Sequence, residues 1–221
     1  MKDRYAAARD RLYAYILDAD SRSAAALLRS ETERNGSGEV LAEIIHPILA
    51  HIGERFVCDK LSLAQVYLAG KIVEDFLSSL GGDRERQDAG AGGRVAVIGN
   101  SEDDYHAVGR TMVGAFLAMA GWRVEDLGND VLAARFVDRA EELDASVIGV
   151  SAMMRSNALN IAAVRDEIDR RGLADRVKLA VGGAIFASEP RLVAEVGGDG
   201  TCANAMEAPA LFERLLATIR R

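Results

Sequence analysis

The spacing of apolar residues changes character near residue 81. Before it, every periodic stretch has a helical interval. Tyr5, Leu12 and Ile16 mark one face over residues 3–17, and Leu27 and Leu28 follow in a second helix that Ser21 or Ser23 is placed to cap. Val40, Leu41, Ile44, Ile45, Ile48, Leu49 and Ile52 make one apolar stripe across 39–56. Leu68, Ile72, Val73, Phe76 and Leu77 make another across 61–80. Pro47 has no N–H to give to the preceding turn and predicts a kink in the third helix. Short polar connections such as "ERNGSG" predict antiparallel neighbours, hence a four-helix bundle over residues 1–80. The next segment, "GGDRERQDAGAGG" at 81–93, carries glycine and charge with no large apolar side chain and reads as a linker.

From residue 94 the pattern alternates. The β-rich runs "RVAVIG", "WRVEDL", "ASVIGVS" and "VKLAVGG" are separated by helical stretches at 107–120, 131–142, 158–171 and 188–196, with a last helix at 205–220. A weak fifth strand is expected between Gly198 and Thr201. Buried strands alternating with helices predict a parallel sheet wrapped on both faces, so residues 94–221 are expected to form a five-stranded flavodoxin/Rossmann-like domain. The fold class is therefore α + α/β. Sites in such domains lie beyond the C-terminal ends of the strands. His106, Ser151 and the pair Gly182–Gly183 all fall there.

Composition narrows the functional classes. The chain has 221 residues, 49% of them hydrophobic, and a formal net charge of −7, which argues against a nucleic-acid partner or an anionic membrane surface. No apolar run is long enough to span a bilayer, and "MKDRYAAARDRLYAY" lacks the apolar core of a signal peptide, so a cytoplasmic location is expected. Cys58 and Cys202 are far apart and form no CxxC pair, which predicts two reduced thiols.

The chemistry concentrates in "SEDDYHAVGR" at 101–110, where His106, one of three histidines, follows Glu102, Asp103 and Asp104. Four readings compete. Asp104 is placed to cap the following helix, leaving His106 on the surface. An acidic cluster after the first strand also suits a phosphoacceptor domain, but that needs an aspartate where Ser151 stands. Nucleophilic catalysis by Ser151 and His106 needs a nucleophile elbow, and "GVSAM" lacks the second glycine. The fourth is ligation: a carboxylate that accepts the Nδ1 proton of His106 leaves Nε2 as the donor to a metal. His46 and His51, five residues apart on a helix, do not share a face and make a second metal site unexpected. A single protein ligand suits a metal already held by a macrocycle.

The order and spacing of three short motifs resemble cobalamin-binding proteins of the methionine synthase and corrinoid methyltransferase type. That family's pattern is D-x-H-x-x-G, then S-x-L, then G-G. Here Asp104, His106 and Gly109 are followed after 41 residues by Ser151 and Met153, and after 28 more by Gly182 and Gly183. The resemblance implies base-off/His-on binding, with His106 as the lower axial ligand of cobalt, Asp104 as its partner, and the nucleotide tail threaded into the sheet. It implies that Ala107 and Gly109 lie close to the corrin. Ser151 would face the tail base, and Gly149, Gly182, Gly183 and Ala184 would open a slot between the first, third and fourth strands. Met153 stands where the family has Leu. Asn157 stands where relatives place a hydroxyl that extends the His–Asp relay, and an amide passes a proton less readily. The segment "GGDGTCANAMEA", with Gly200 and Thr201 as candidate contacts, resembles the family's last turn but departs from it at Thr201 and Asn204.

The helical half resembles the family's cap over the upper face of cobalt, with Phe56 at an aromatic position and Leu61, Leu63 and Tyr67 as neighbours. Light-sensing relatives have Trp, nine residues, then Glu-His; this chain has Phe56, nine residues, then Val66-Tyr67. The resemblance implies a methyl-carrying corrinoid protein with methylcobalamin as working form. It would serve a substrate methyltransferase and an acceptor methyltransferase, with a reductive activator as a further partner, and would not be catalytic alone. The 81–93 segment would let the cap swing away. A cobalamin-responsive regulator and an adenosylcobalamin mutase subunit remain as alternatives.

Overall fold

The computed structural model describes residues 3–58, 60–80 and 94–219. The chain divides into two units, Met1–Gly82 and Asp83–Arg221. The segment read as a linker, 81–93, lies outside the described residues.

The first unit is helical. Helix α1 (Ala6–Leu17) buries Ala8, Leu12 and Ile16, spaced four residues apart, and α2 (Ser21–Asn35) buries Ala24, Leu27 and Leu28. The cap of α2 differs from expectation. Asp20, not Ser21 or Ser23, is the N-cap, and its carboxylate accepts the Ser23 N–H at 3.0 Å. A carboxylate there satisfies an orphan N–H and also sits at the positive end of the helix dipole.

The third apolar stripe forms α3 (Ser37–Val40), which runs through a π-turn (Leu41–Ile45) into α4 (His46–Val57). Every stripe residue is buried except Leu49, which is half-buried. The π-turn falls immediately before Pro47. Proline cannot donate to the carbonyl four residues back, so Glu43 O is freed. Arg9 Nη1 takes it up at 2.7 Å. Helix α5 (Leu63–Leu80) buries Ala69, Ile72, Val73, Phe76 and Leu77, with Leu68 half-buried.

The second unit is a parallel sheet in the order β2-β1-β3-β4, from β1 (Val95–Asn100), β2 (Arg123–Asp126), β3 (Val147–Ser151) and β4 (Lys178–Gly182). Between them lie α6 (Ala107–Met119), α7 (Ala133–Glu142), and α8 (Arg155–Asn160) followed by α9 (Ala162–Arg170). After β4 come α10 (Ala184–Ser188), α11 (Leu192–Glu195), a 3-10 turn (Ala205–Glu207) and α12 (Ala208–Leu216).

Alternation along β1 sends Val95 and Val97 to one face, where Phe136 and Val137 of α7 and Val164 and Ile168 of α9 pack. Ala96 and Ile98 go to the other face, with Leu117 of α6 and Leu211 and Phe212 of α12. Trp122 and Phe212 meet edge to face there, ring centroids 5.5 Å apart.

The fifth strand is not formed as expected. Its place is held by a single bridge between Ala180 and Gly200, with Asp199 N–H donating to Leu179 O (2.7 Å) and Val181 N–H to Gly200 O (2.9 Å). The Asp199 carboxylate takes the Leu179 N–H at 2.6 Å. Gly197 has φ +70°, and a run of glycines offers no β-branched side chain to hold an edge strand. The helices expected at 158–171 and 188–196 are each broken in two, at Ile161 and between Glu189 and Arg191. The 188–196 helix begins earlier, at Ala184.

Candidate functional site

The chain leaves β1 towards β2 on one side and later enters β3 on the other, so a cleft opens past the C-terminal ends of β1 and β3. The His106 loop occupies that position. Ser101 N–H donates to Ser151 O at 3.0 Å, and Asp104 N–H to Ser101 O at 3.1 Å, so the chain turns tightly after β1.

The Asp104 side chain is wholly buried, 0% exposed, whereas the His106 side chain is 56% exposed. Asp104 Oδ1 accepts the His106 backbone N–H at 2.9 Å and lies 2.8 Å from His106 Nδ1. Asp104 Oδ2 accepts the Met153 N–H at 2.7 Å, which ties the loop after β1 to the loop after β3. A buried carboxylate wants donors, so the Nδ1 proton is placed towards Asp104 and the Nε2 lone pair is turned away from it. Nε2 has no partner among the described residues. Asp104 is not the N-cap of α6: that is His106 itself, whose side chain makes no capping bond, while Asp104 takes only the His106 N–H just ahead of the helix. The carboxylate is spent on orienting the imidazole.

Beside this pair a groove of about 240 Å³ runs over the strand ends. Gly149, Ser151, Gly182, Gly183, Ala184 and Gly109 line it, as the expected slot requires. Its floor is Ile98, Ala180 and Phe212, with Phe212 braced by Trp122. The hydroxyl of Ser151 has no protein partner among the described residues.

The glycines divide into two kinds. Gly183 has φ +110°, and a Cβ there would lie 2.1 Å from Ala152 O, so the backbone itself demands glycine. Gly149 is favoured by packing: its Cβ would lie 3.0 Å from Phe212 Cζ and 3.2 Å from Ile98 Cγ2, so those side chains would have to give by a few tenths of an ångström. Gly109 and Gly182 have ordinary φ, and a Cβ at either would meet nothing within 4 Å. Nothing in the protein needs these two positions empty.

The remaining expected contacts scatter. Met153 contributes its N–H, with an exposed side chain, and Ala107 begins α6. Asn157 is buried, but its amide donates to Glu102 O at 3.3 Å rather than to Asp104, and its Oδ1 has no partner among the described residues. The relay therefore ends at Asp104. Gly200 lies against Leu211, and neither it nor Thr201 lines the groove; Cys202 to Ala205 form the wall instead. Cys202 and Cys58 are both free. Burial pushes the Cys202 thiol up, so it is protonated at neutral pH and serves as a small apolar wall residue. Phe56 is exposed near the end of α4, in the first unit.

Two neighbours escaped the sequence reading. Arg110 is buried on α6, its Nε 2.9 Å from Asp126 and its Nη1 bonded to Asn129. Asp130 binds the His106 loop directly. Its Oδ1 accepts the Asp103 N–H at 2.9 Å, its Oδ2 accepts the Tyr105 hydroxyl at 2.7 Å, and its N–H donates to Asp104 O at 3.1 Å. No local pattern marks Asp130, because its partners are about 25 residues upstream.

Residues 94–214 match the B12 binding domain family, and a second B12 binding domain pattern matches 8–80. The chain belongs to the B12 binding domain family. Cobalamin or a related corrinoid is its cofactor. It is 34% identical over 183 residues to the dimethylamine corrinoid protein of Methanosarcina barkeri, covering 80% of this chain and 84% of that one. It is 32% identical over 166 residues to dimethylamine corrinoid protein 3 of Methanosarcina mazei, covering 75% and 98%. The monomethylamine corrinoid protein of Methanosarcina barkeri has the same fold, with a TM-score of 0.78 at 22% identity, covering 94% of this chain and 97% of that one. The residues present fit such a group. Gly109, three residues after His106, lines the groove together with Gly182, the His106 side chain is 56% exposed, and a metal carried by a macrocycle asks for one such donor. Among the described residues no helix is long and apolar enough to cross a membrane.

Proposed function

We propose that the protein is a methyl-carrying corrinoid protein with base-off/His-on binding, His106 Nε2 being the lower axial ligand of cobalt. The observation that carries this reading is the Asp104–His106 pair, 2.8 Å apart, whose carboxylate is buried and whose Nε2 is unpartnered among the described residues. When bound, methylcobalamin or a related corrinoid supplies a cobalt centre able to take up and give off a methyl group.

The chain's residues supply ligation and orientation. Asp104 holds the Nδ1 proton, which fixes the tautomer and makes the imidazole a stronger donor. The Met153 N–H keeps the carboxylate from turning away. Ser151 and the open positions Gly109 and Gly182 receive the nucleotide tail in the groove. The dimethylamine relatives support a methylated amine as the source of the methyl group. The partners are then a substrate methyltransferase and an acceptor methyltransferase, with a reductive activator. The first unit is read as a four-helix cap contributing Phe56, and the chain as cytoplasmic.

The test is His106→Ala titrated with methylcobalamin and followed by absorption. The wild type is expected to show the His-on spectrum, and the variant a base-off spectrum with affinity lowered by about 10- to 100-fold. A variant with the wild-type spectrum and affinity overturns the assignment.

A further inference from the structure

Asp130 spends all of its polar groups but its carbonyl on the three residues that lead into His106. One carboxylate oxygen holds the Asp103 N–H, the other holds the Tyr105 hydroxyl, and the backbone N–H holds Asp104 O. These contacts bridge from the loop after β2 to the loop after β1, with Ser101 and Val131 forming a further parallel bridge alongside. The backbone on both sides is bent into the left-handed region, φ +62° at Asp103 and +54° at Asp130. Aspartate is one of the few residues besides glycine that adopts this region, as single residues in tight turns, and here both turns are pinned by the contacts between them. Tyr105 is 65% exposed, so its hydrogen bond to Asp130 rather than burial fixes the ring.

Asp104 alone does not explain the loop. Its carboxylate secures the far side, towards Met153, and orients the ring from behind. Without the Asp130 contacts the segment would keep Glu102 O on Asn157 and Asn160 and Asp104 on Ser101 and Met153, but Asp103 N–H, Asp104 O and the Tyr105 hydroxyl would lose the partner they share.

We propose that Asp130 is the positioning residue of the ligand loop, holding Asp103, Asp104 and Tyr105 so that the His106 imidazole is already aimed before the corrinoid arrives. The inference rests on the reading of His106 as the axial ligand. Preorganisation lowers the ordering cost at binding, so its loss appears both in the free protein and in the complex.

The test uses the full chain with Asp130→Ala, Asp130→Asn and Tyr105→Phe. The first readout, on cofactor-free protein, is amide hydrogen exchange. Asp130→Ala is expected to speed exchange at residues 103–106 by about tenfold or more, with β1 and β3 unchanged. The second is the absorption spectrum of bound methylcobalamin, in which Asp130→Ala is expected to lose His-on character and to bind about 10-fold more weakly. In Asp130→Asn the side-chain carbonyl still accepts from the Asp103 N–H and the amide meets the Tyr105 hydroxyl, so this variant is expected to rescue most of both losses. Tyr105→Phe removes one contact and is expected to fall between.

Unchanged exchange, or faster exchange with an unchanged spectrum, overturns the proposal. So does an Asp130→Asn protein as impaired as Asp130→Ala. Should Asp130→Ala fail to fold, Tyr105→Phe decides the matter: faster exchange at 103–106 with weakened His-on character supports the proposal, and unchanged exchange or an unchanged spectrum overturns it. If His106→Ala retains the wild-type spectrum, the ligand assignment itself has failed. If that variant is altered while the Asp130 and Tyr105 variants are not, only the positioning role has.

Discussion

Adding one methyl group at Gly109 or Gly182 separates space the fold needs from space the cofactor needs. Neither position has a left-handed backbone, and a Cβ at either finds no atom within 4 Å. Replacing a glycine by alanine at a compatible position stabilises a protein by about 0.4–1 kcal/mol, chiefly by restricting the unfolded chain. In α6 the gain is reinforced, since glycine inside a helix is worse than alanine by about 0.5–1 kcal/mol. The cofactor-free Gly109→Ala and Gly182→Ala proteins are therefore expected to be as stable as the wild type or more so.

Both positions border the groove of about 240 Å³. A methyl group forced into a packed contact costs about 1–3 kcal/mol, and at 1.4 kcal/mol per decade the dissociation constant rises roughly 5- to 150-fold. Gly183→Ala is the control. With φ +110° and Ala152 O 2.1 Å from the new Cβ, it is expected to lose about 2 kcal/mol or more in the cofactor-free protein. Urea unfolding of the free proteins and spectroscopic titration with methylcobalamin measure the two effects. If Gly109→Ala and Gly182→Ala bind as the wild type does, the open space is not the cofactor's. If they unfold as Gly183→Ala does, the glycines are structural and the division drawn between them is wrong.

Two further outcomes follow from other parts of the chain. Arg170 and Arg171 hold the Glu167 carboxyl down to about 2, and Arg171 also reaches Asp138 and Glu141 across to α7. A depressed carboxylate contributes stability above its ordinary value of 4.5, and loses it as pH falls through 4.5 towards 2. Glu167→Gln is thus expected to be less stable than the wild type at pH 7, with the gap in unfolding midpoint closing below pH 4.5; a gap unchanged down to pH 2 refutes the linkage. Arg9→Ala leaves the Glu43 carbonyl that Pro47 cannot serve to solvent water, at a cost of about 0.5 kcal/mol because the bond is exposed. Faster amide exchange around the π-turn checks it, and unchanged exchange there means the guanidinium is dispensable.

Several features were legible because they are local. The apolar stripes of residues 39–56 and 61–80 are written in single-helix periodicity, and burial follows them nearly residue for residue. The glycine, serine and histidine positions at the strand ends follow from alternation of strands and helices, which puts each loop on one edge of the sheet. What failed was decided by competition. Gly198 to Thr201 carries enough pattern to suggest a strand, but glycine-rich backbone pairs at one residue only. Ser21 and Ser23 are ordinary caps, yet Asp20 is nearer the helix start and its charge suits it.

By itself the sequence determined the alternating architecture of the second unit, the helical first unit, and the aspartate–histidine pair two residues apart, since each depends on spacing along one stretch of chain. Only the tertiary structure decided that Asp104 spends its second oxygen on Met153, and that Asn157 turns to Glu102 instead of the relay. It alone shows that Asp130, in the loop after β2, bonds to the loop that carries His106. Hydrogen bonds are settled by distance and angle in space, and residues tens of positions apart leave no periodic trace of which will meet.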